Sequence, residues 1–105
     1  MMRDKVAALL GFAQAAGKIA SGESGVRSAV LKKKARLVLL AADASPNTRK
    51  AFLNLITHRG VLLREYSTKG ELGRMIGKAP RSVVAVLDSG FAKVIIESLR
   101  GEHDM

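Results

Sequence analysis

The sequence predicts an α/β protein, a single-domain three-layer α/β/α sandwich built on a small mixed sheet. Three observations predict it. The runs Leu37–Ala42, Val61–Leu63 and Val83–Leu87 are apolar at successive positions, the pattern of strands covered on both faces. Around them, apolar residues recur at three- and four-residue steps, the period of amphipathic helices. A length of 105 residues with 48% apolar content supplies one core and no more.

The first helix is expected from Met2 to Ala16, where Val6, Leu9, Leu10, Ala13 and Ala16 share a stripe and Gly17 closes it. Lys18–Ala20 reads as a short extended link. Ser21 then caps a second helix with Val26, Ala29 and Val30 inward, and Lys32, Lys33 and Lys34 end it at the negative end of its dipole. After the first strand, Ser45–Pro46 pairs a cap with a proline at the first helical position. That third helix turns Phe52, Leu55 and Ile56 to the core and stops at Gly60. Following the second strand, Thr68-Lys69-Gly70-Glu71 is a capping box opening a short helix that ends at Gly77. Lys78–Arg81 is a loop leading into the third strand. Asp88 or Ser89 caps a last helix with Phe91, Val94, Ile95 and Leu99 inward. The domain is read as residues 1–100, with 101–105 a frayed tail.

Composition narrows the function. With no cysteine, disulfide scaffolds, thiol chemistry and cysteine-based metal sites are excluded. No apolar run approaches the ~20 residues that cross a bilayer, so a soluble cytoplasmic domain with no membrane partner is expected. The 18 Lys and Arg against 9 Asp and Glu leave a net charge of +9. Residues 17–82 hold 14 of the cations and 4 of the acids, a localised field suited to a polyanion. Phe12, Phe52, Phe91 and Tyr66 are the only aromatics, too few for a base-stacking platform. Recognition is therefore expected to use shape, phosphates and backbone amides.

Catalysis finds little support. His58 and His103 have no spaced partner, and no cofactor or metal ligand set is visible. Asp43 and Asp88 follow strand ends, where active sites of open sheets collect, but the ordinary role of a helix-entry residue is favoured for both. Gly22-Glu23-Ser24-Gly25 lacks the Gly-Lys-Ser/Thr of a P-loop. The binding signal is stronger. Ser21–Gly25 places small residues at the positive end of a helix, where amides approach a ligand closely. Ser24, Arg27, Ser28 and Lys32 make that helix's outward strip, with Lys18 before it. The loop Gly77, Lys78, Ala79, Pro80 and Arg81 offers two more cations on a scaffolded turn. The sequence does not say whether the two segments share an edge.

Gly17-Lys18-Ile19, Ser21-Gly22 and Ala35–Ser45 resemble the kink-turn-binding ribosomal protein family, named for ribosomal protein L-seven-Ae. The likeness continues through Ser67–Gly73, Ile76-Gly77, Val83–Val86 and Asp88–Lys93, and is similar to the bacterial YlxQ-like branch. The resemblance implies a non-catalytic α/β/α protein that grips bent RNA with the start of its second helix and the loop before its last strand. The residues implied are Lys18, Gly22, Glu23, Ser24, Gly25, Arg27, Ser28, Lys32, Gly77, Lys78, Ala79, Pro80 and Arg81. One departure stands out. The family's Asn-Glu-x-x-Lys signature falls on Ser24, Gly25 and Ser28, and all three side chains differ.

The expectation is a monomer that binds structured RNA, ribosomal RNA or another kink-turn RNA, in a ribosomal or translational setting. A different class remains open: a translation-linked adaptor that docks on ribosomal or translation proteins and has only non-specific RNA affinity. An enzyme using Asp43 or Asp88 is a third and distant reading.

Overall fold

The computed structural model describes residues 5–104. Its elements are α1 (Lys5–Ala15), β1 (Ile19–Ser21), α2 (Gly22–Leu31), β2 (Leu37–Leu40), α3 (Pro46–Ile56), β3 (Leu62–Glu65), α4 (Lys69–Met75), β4 (Val83–Val86) and α5 (Ser89–Asp104). Four strands form one sheet in the order β1-β4-β2-β3. The last strand in sequence runs antiparallel to β1 and β2, while β2 and β3 are parallel across α3, so the sheet is mixed as expected. The helices α2 and α3 pack together on one face, and α1 packs with α4 and α5 on the other.

Every residue of β2 and β4 is buried, because each strand has a neighbour on both sides and helices on both faces. Leu37, Leu39 and Leu40 meet Phe52, Val26, Val30, Leu10, Leu72 and Ile95 in the core. Each such side chain withdrawn from water stabilises the fold by about 1.5–3 kcal/mol.

Local signals fix the helix starts. Ser45 Oγ accepts the Thr48 amide at 3.1 Å, and Thr68 Oγ1 accepts that of Glu71 at 3.3 Å. The reciprocal half of the α4 box is replaced, because the Glu71 carboxylate pairs with Arg74 at 3.0 Å. Asp88 caps α5 by accepting the Phe91 amide at 2.9 Å. Asp43 does not cap α3, which follows it; its carboxylate crosses to accept the Lys69 amide of α4 at 2.8 Å.

Several expectations are corrected. Lys18–Ala20 is not a bare link, since Ile19–Ser21 pairs with β4 as an edge strand. At the other edge β3 is largely exposed rather than buried, with Leu62 43% accessible. The apolar run 61–63 reflects packing on one side only, and Arg64 and Glu65 occupy the open edge, where charge discourages strand addition. α3 ends at Ile56, four residues before Gly60, because Thr57 leaves the helical region with ψ 130° and His58 follows with a left-handed φ of 69°. Val94 faces solvent and Ala92 takes the inward place. At the other end of the described residues, α5 runs through Asp104. The expected first turn of α1 at residues 2–4 lies outside the described residues.

Replacing Asp43 by Ala removes the anchor of α4 and is expected to lower stability by about 1 kcal/mol. In urea unfolding the midpoint falls with an unchanged slope; an unmoved midpoint contradicts the capping role.

Candidate nucleic-acid interface

The antiparallel pairing of β1 with β4 settles where the two small-residue segments meet. Ser21, the last residue of β1, lies opposite Val84, near the start of β4. The start of α2 and the loop feeding β4 therefore occupy the same end of the sheet. Ser21, Gly22, Glu23, Ser24 and Gly25 form one wall of a polar groove of ≈ 380 Å³, and Pro80, Arg81 and Ser82 form the other.

Arg81 ties the walls together. Its Nε donates to Ser21 Oγ at 3.2 Å, and its Nη1 donates to the carbonyls of Ala79 and Pro80 at 3.1 and 3.2 Å. Half-buried and held on three sides, Arg81 stiffens the loop in addition to contributing charge. The same bond diverts Ser21 from capping. Ser21 sits at the N-cap with extended φ and ψ, but its side chain accepts from no α2 amide. The positive end of α2 thus reaches the groove without a side-chain cap.

The opposite loop is seated by α4. Gly77 adopts φ 70°, which a glycine takes without strain, and the Lys78 amide donates to the Gly73 carbonyl at 2.8 Å. The Arg81 amide then donates to the Lys69 carbonyl at 3.0 Å. At Gly73 a Cβ would stand 2.9 Å from the Lys78 carbonyl oxygen and closer still to the Ala79 carbonyl. The loop backbone therefore lies directly on Gly73, and no larger residue fits without moving it.

Glu23 belongs to the groove and to the scaffold. Its carboxylate accepts from Thr48 Oγ1 at 2.9 Å, and Thr48 Oγ1 in turn accepts from Ser45 Oγ at 3.0 Å, linking α2 to the start of α3. Thr48, Ser82 and Gly73 are site-supporting residues that sequence reasoning missed. Their roles depend on contacts between elements distant in the chain, and only the small size of Gly73 gave any local hint.

Not all the expected residues converge. Gly77, Lys78, Ala79 and Pro80 are exposed in the loop, and Arg27 and Ser28 follow the groove on the second turn of α2, Arg27 exposed and Ser28 half-buried. Lys32 is the C-cap of α2, about 15 Å from its start at 1.5 Å per residue. Lys18 precedes β1 at the far end of the sheet, where its carbonyl accepts the Leu87 amide at 2.8 Å. Neither joins the groove. Asp43 and Asp88 are each occupied by a helix amide, and among the described residues no group of three His, Cys, Asp or Glu is placed to hold a metal. No described helix is long and apolar enough to cross a membrane.

Fold and groove define the class: a small α/β/α protein with a mixed four-stranded sheet and a polar, cation-flanked groove at one sheet end. Residues 4–96 match the ribosomal protein L7Ae/L30e/S12e/Gadd45 family. The chain belongs to that family. It is similar to the RNA-binding protein YlxQ of Bacillus subtilis (strain 168), with 43% identity over 91 residues, covering 87% of this chain and 91% of the relative. The RNA-binding protein YlxQ of Enterococcus faecium is 37% identical over 99 residues, covering 94% and 95%. Among solved structures, a Bacillus halodurans protein of unknown function superposes with a TM-score of 0.87 at 32% identity, covering 91% of this chain and 97% of the other. The 15.5kD RNA binding protein of Giardia lamblia, at 22% identity and a TM-score of 0.79 over 95% and 86% of the two chains, shares the fold.

Replacing Gly73 by Ala forces the loop off α4 and is expected to cost about 1–3 kcal/mol. The amide signals of residues 77–82 shift in a two-dimensional NMR spectrum while those of α3 stay in place. An unshifted loop removes the proposed support.

Proposed function

We propose that this protein binds structured RNA through the groove between α2 and the 77–82 loop, capturing a kink-turn or a similarly bent helix in a translational setting without catalysing a reaction. The observation that carries this reading is the joining of the two segments into one groove by the Arg81–Ser21 hydrogen bond. The names of the YlxQ relatives support RNA as the ligand class.

The capture works by shape. The uncapped start of α2 presents amides and the Ser24 hydroxyl to the bend, and small residues let the RNA approach closely. Arg27 and Lys78 engage flanking phosphates, with Arg81 adding charge from within the wall. Phosphate contacts position the RNA and carry little sequence information. Base reading is reduced, because Ser24, Gly25 and Ser28 stand where the family's signature has Asn, Glu and Lys. Each missing bidentate base contact is worth about 1–3 kcal/mol.

A fluorescence titration compares a kink-turn RNA with a straight duplex of equal length at several salt concentrations. The kink-turn is expected to bind about tenfold more tightly or better, a margin worth one base contact, and Ser24→Ala or Arg27→Ala narrows it. Equal binding with a steep salt slope overturns kink-turn recognition and leaves a basic surface. RNA affinity that survives replacement of Arg27, Lys78 and Arg81 by Glu, with loss of a translation-protein contact instead, establishes the adaptor reading.

The departure from the signature gives a gain-of-function test. A Cβ at Gly25 meets no atom within 4 Å, so the triple variant Ser24→Asn, Gly25→Glu, Ser28→Lys fits sterically. It is expected to raise kink-turn selectivity at least about tenfold over the parent, at matched salt. Unchanged selectivity means that the RNA does not lie against this face of α2.

A further inference from the structure

The far end of the sheet carries a second basic cleft. The end of α2, the start of β2 and the turn after α3 enclose ≈ 620 Å³, with Lys33, Arg36, His58 and Arg59 around a floor of Val30 and Ala35. Among the described residues, no acidic one lines it. Arg36 continues into a neighbouring groove on α5 beside Lys93 and Arg100, where Glu97 is the one acidic lining residue among those described. Arg59 is partly committed, since its Nε donates to the Leu55 carbonyl at 2.7 Å. Among the described residues, the Lys33 and Arg36 side chains make no hydrogen bond or ion pair.

Lys33 occupies a position that glycine takes at the ends of two other helices. α1 and α4 both finish with a left-handed glycine, Gly17 and Gly77, whose amide bonds back three residues while the next amide bonds back five. α2 ends in the same pattern, with Lys33 donating to the Val30 carbonyl at 3.0 Å and Lys34 to that of Ala29 at 2.8 Å. Here, however, the left-handed residue is a lysine at φ 62°. The helix dipole does not account for it, because Lys32 and Lys34 already place cations at this terminus. Such an outlier points to a use for its side chain, and His58 in the same cleft is a second one, at φ 69°.

We propose that this cleft is a second phosphate-binding surface, which holds a separate stretch of RNA backbone while the groove at the start of α2 is occupied. The cleft and groove sit at opposite ends of α2, about 15 Å apart, so one does not block the other. The lining fits a phosphodiester backbone better than a protein. It offers the unpaired Lys33 and Arg36 in a concave setting with no Phe, Tyr or Trp, whereas protein interface centres are depleted in lysine and built on such anchors. Kink-turn recognition by the first groove is not required.

The test saturates the protein with donor-labelled kink-turn RNA at roughly 0.15 M salt, then titrates an acceptor-labelled straight duplex. Energy transfer from a complex of both RNAs on one protein is the expected result. Arg36→Gln with Lys33→Gly is expected to weaken duplex binding at least about tenfold and lower its salt slope by about 2, leaving kink-turn affinity within about twofold. Lys33→Gly alone separates charge from structure: Tm rises by about 4 °C as strain is relieved, while duplex affinity falls. A single RNA per protein overturns the second site, and so does duplex affinity indifferent to both substitutions. If poly-glutamate binds and the duplex does not, the cleft is an acidic-protein surface and the assignment fails. Should the first groove fail to favour the kink-turn, two straight duplexes per protein, reduced to one by the double variant, still establish the cleft.

Discussion

The arrangement depends on one constraint, the insertion of the last strand antiparallel between the first two. β4 is buried along its whole length and pairs with β1 on one side and β2 on the other. Because the strands run in opposite senses, the end of β1 must lie beside the start of β4. A helix start and a loop some 55 residues later in the chain are thereby brought within one hydrogen bond of each other, from Arg81 to Ser21. Parallel insertion would put the two segments at opposite ends of the sheet and leave no groove. Ladder hydrogen bonds and core packing hold β4, so the groove's width is set by the most stable part of the molecule.

Cations and helix ends are distributed around that sheet with two different outcomes. At one end, the positive terminus of α2 is left without a side-chain cap because Ser21 serves Arg81, and an anionic ligand is the natural complement. Among the described residues Glu23 is the one negative group in the lining, yet its bond to Thr48 gives it a partner in the scaffold. At the other end, the carbonyl termini of α2 and α3 converge, and the cations there exceed what two helix dipoles require. Net charge measures neither effect; position along α2 does.

Much of this was legible in the sequence where the cause is local. The caps at Ser45 and Thr68, the glycine stop at Gly17 and the buried runs of β2 and β4 follow from short-range chemistry, and the structure reproduces them. Failures occurred where the cause is non-local. Three residues are too few for β1 to show a period, and its strand character comes from β4. The run 61–63 is equally apolar in an edge strand and a central one, so burial could not be told from composition. Asp43 precedes α3 yet caps α4, because the two helix starts lie at the same end of the sheet.

The candidate site divides in the same way. Ser21–Gly25 and 77–81 were identifiable from residue size and charge, and their meeting is a property of topology. Lys18 and Lys32 lie close to them in sequence, but a three-residue strand and a ten-residue helix carry them to the far end. In the sequence Lys33 is one of three interchangeable helix-terminal cations. Only its backbone separates it from Lys32 and Lys34, since a left-handed lysine in a glycine geometry opposes stability where neighbouring charges already satisfy the dipole. A composition count treats all three lysines alike, whereas the conformation shows which of them the fold holds under strain.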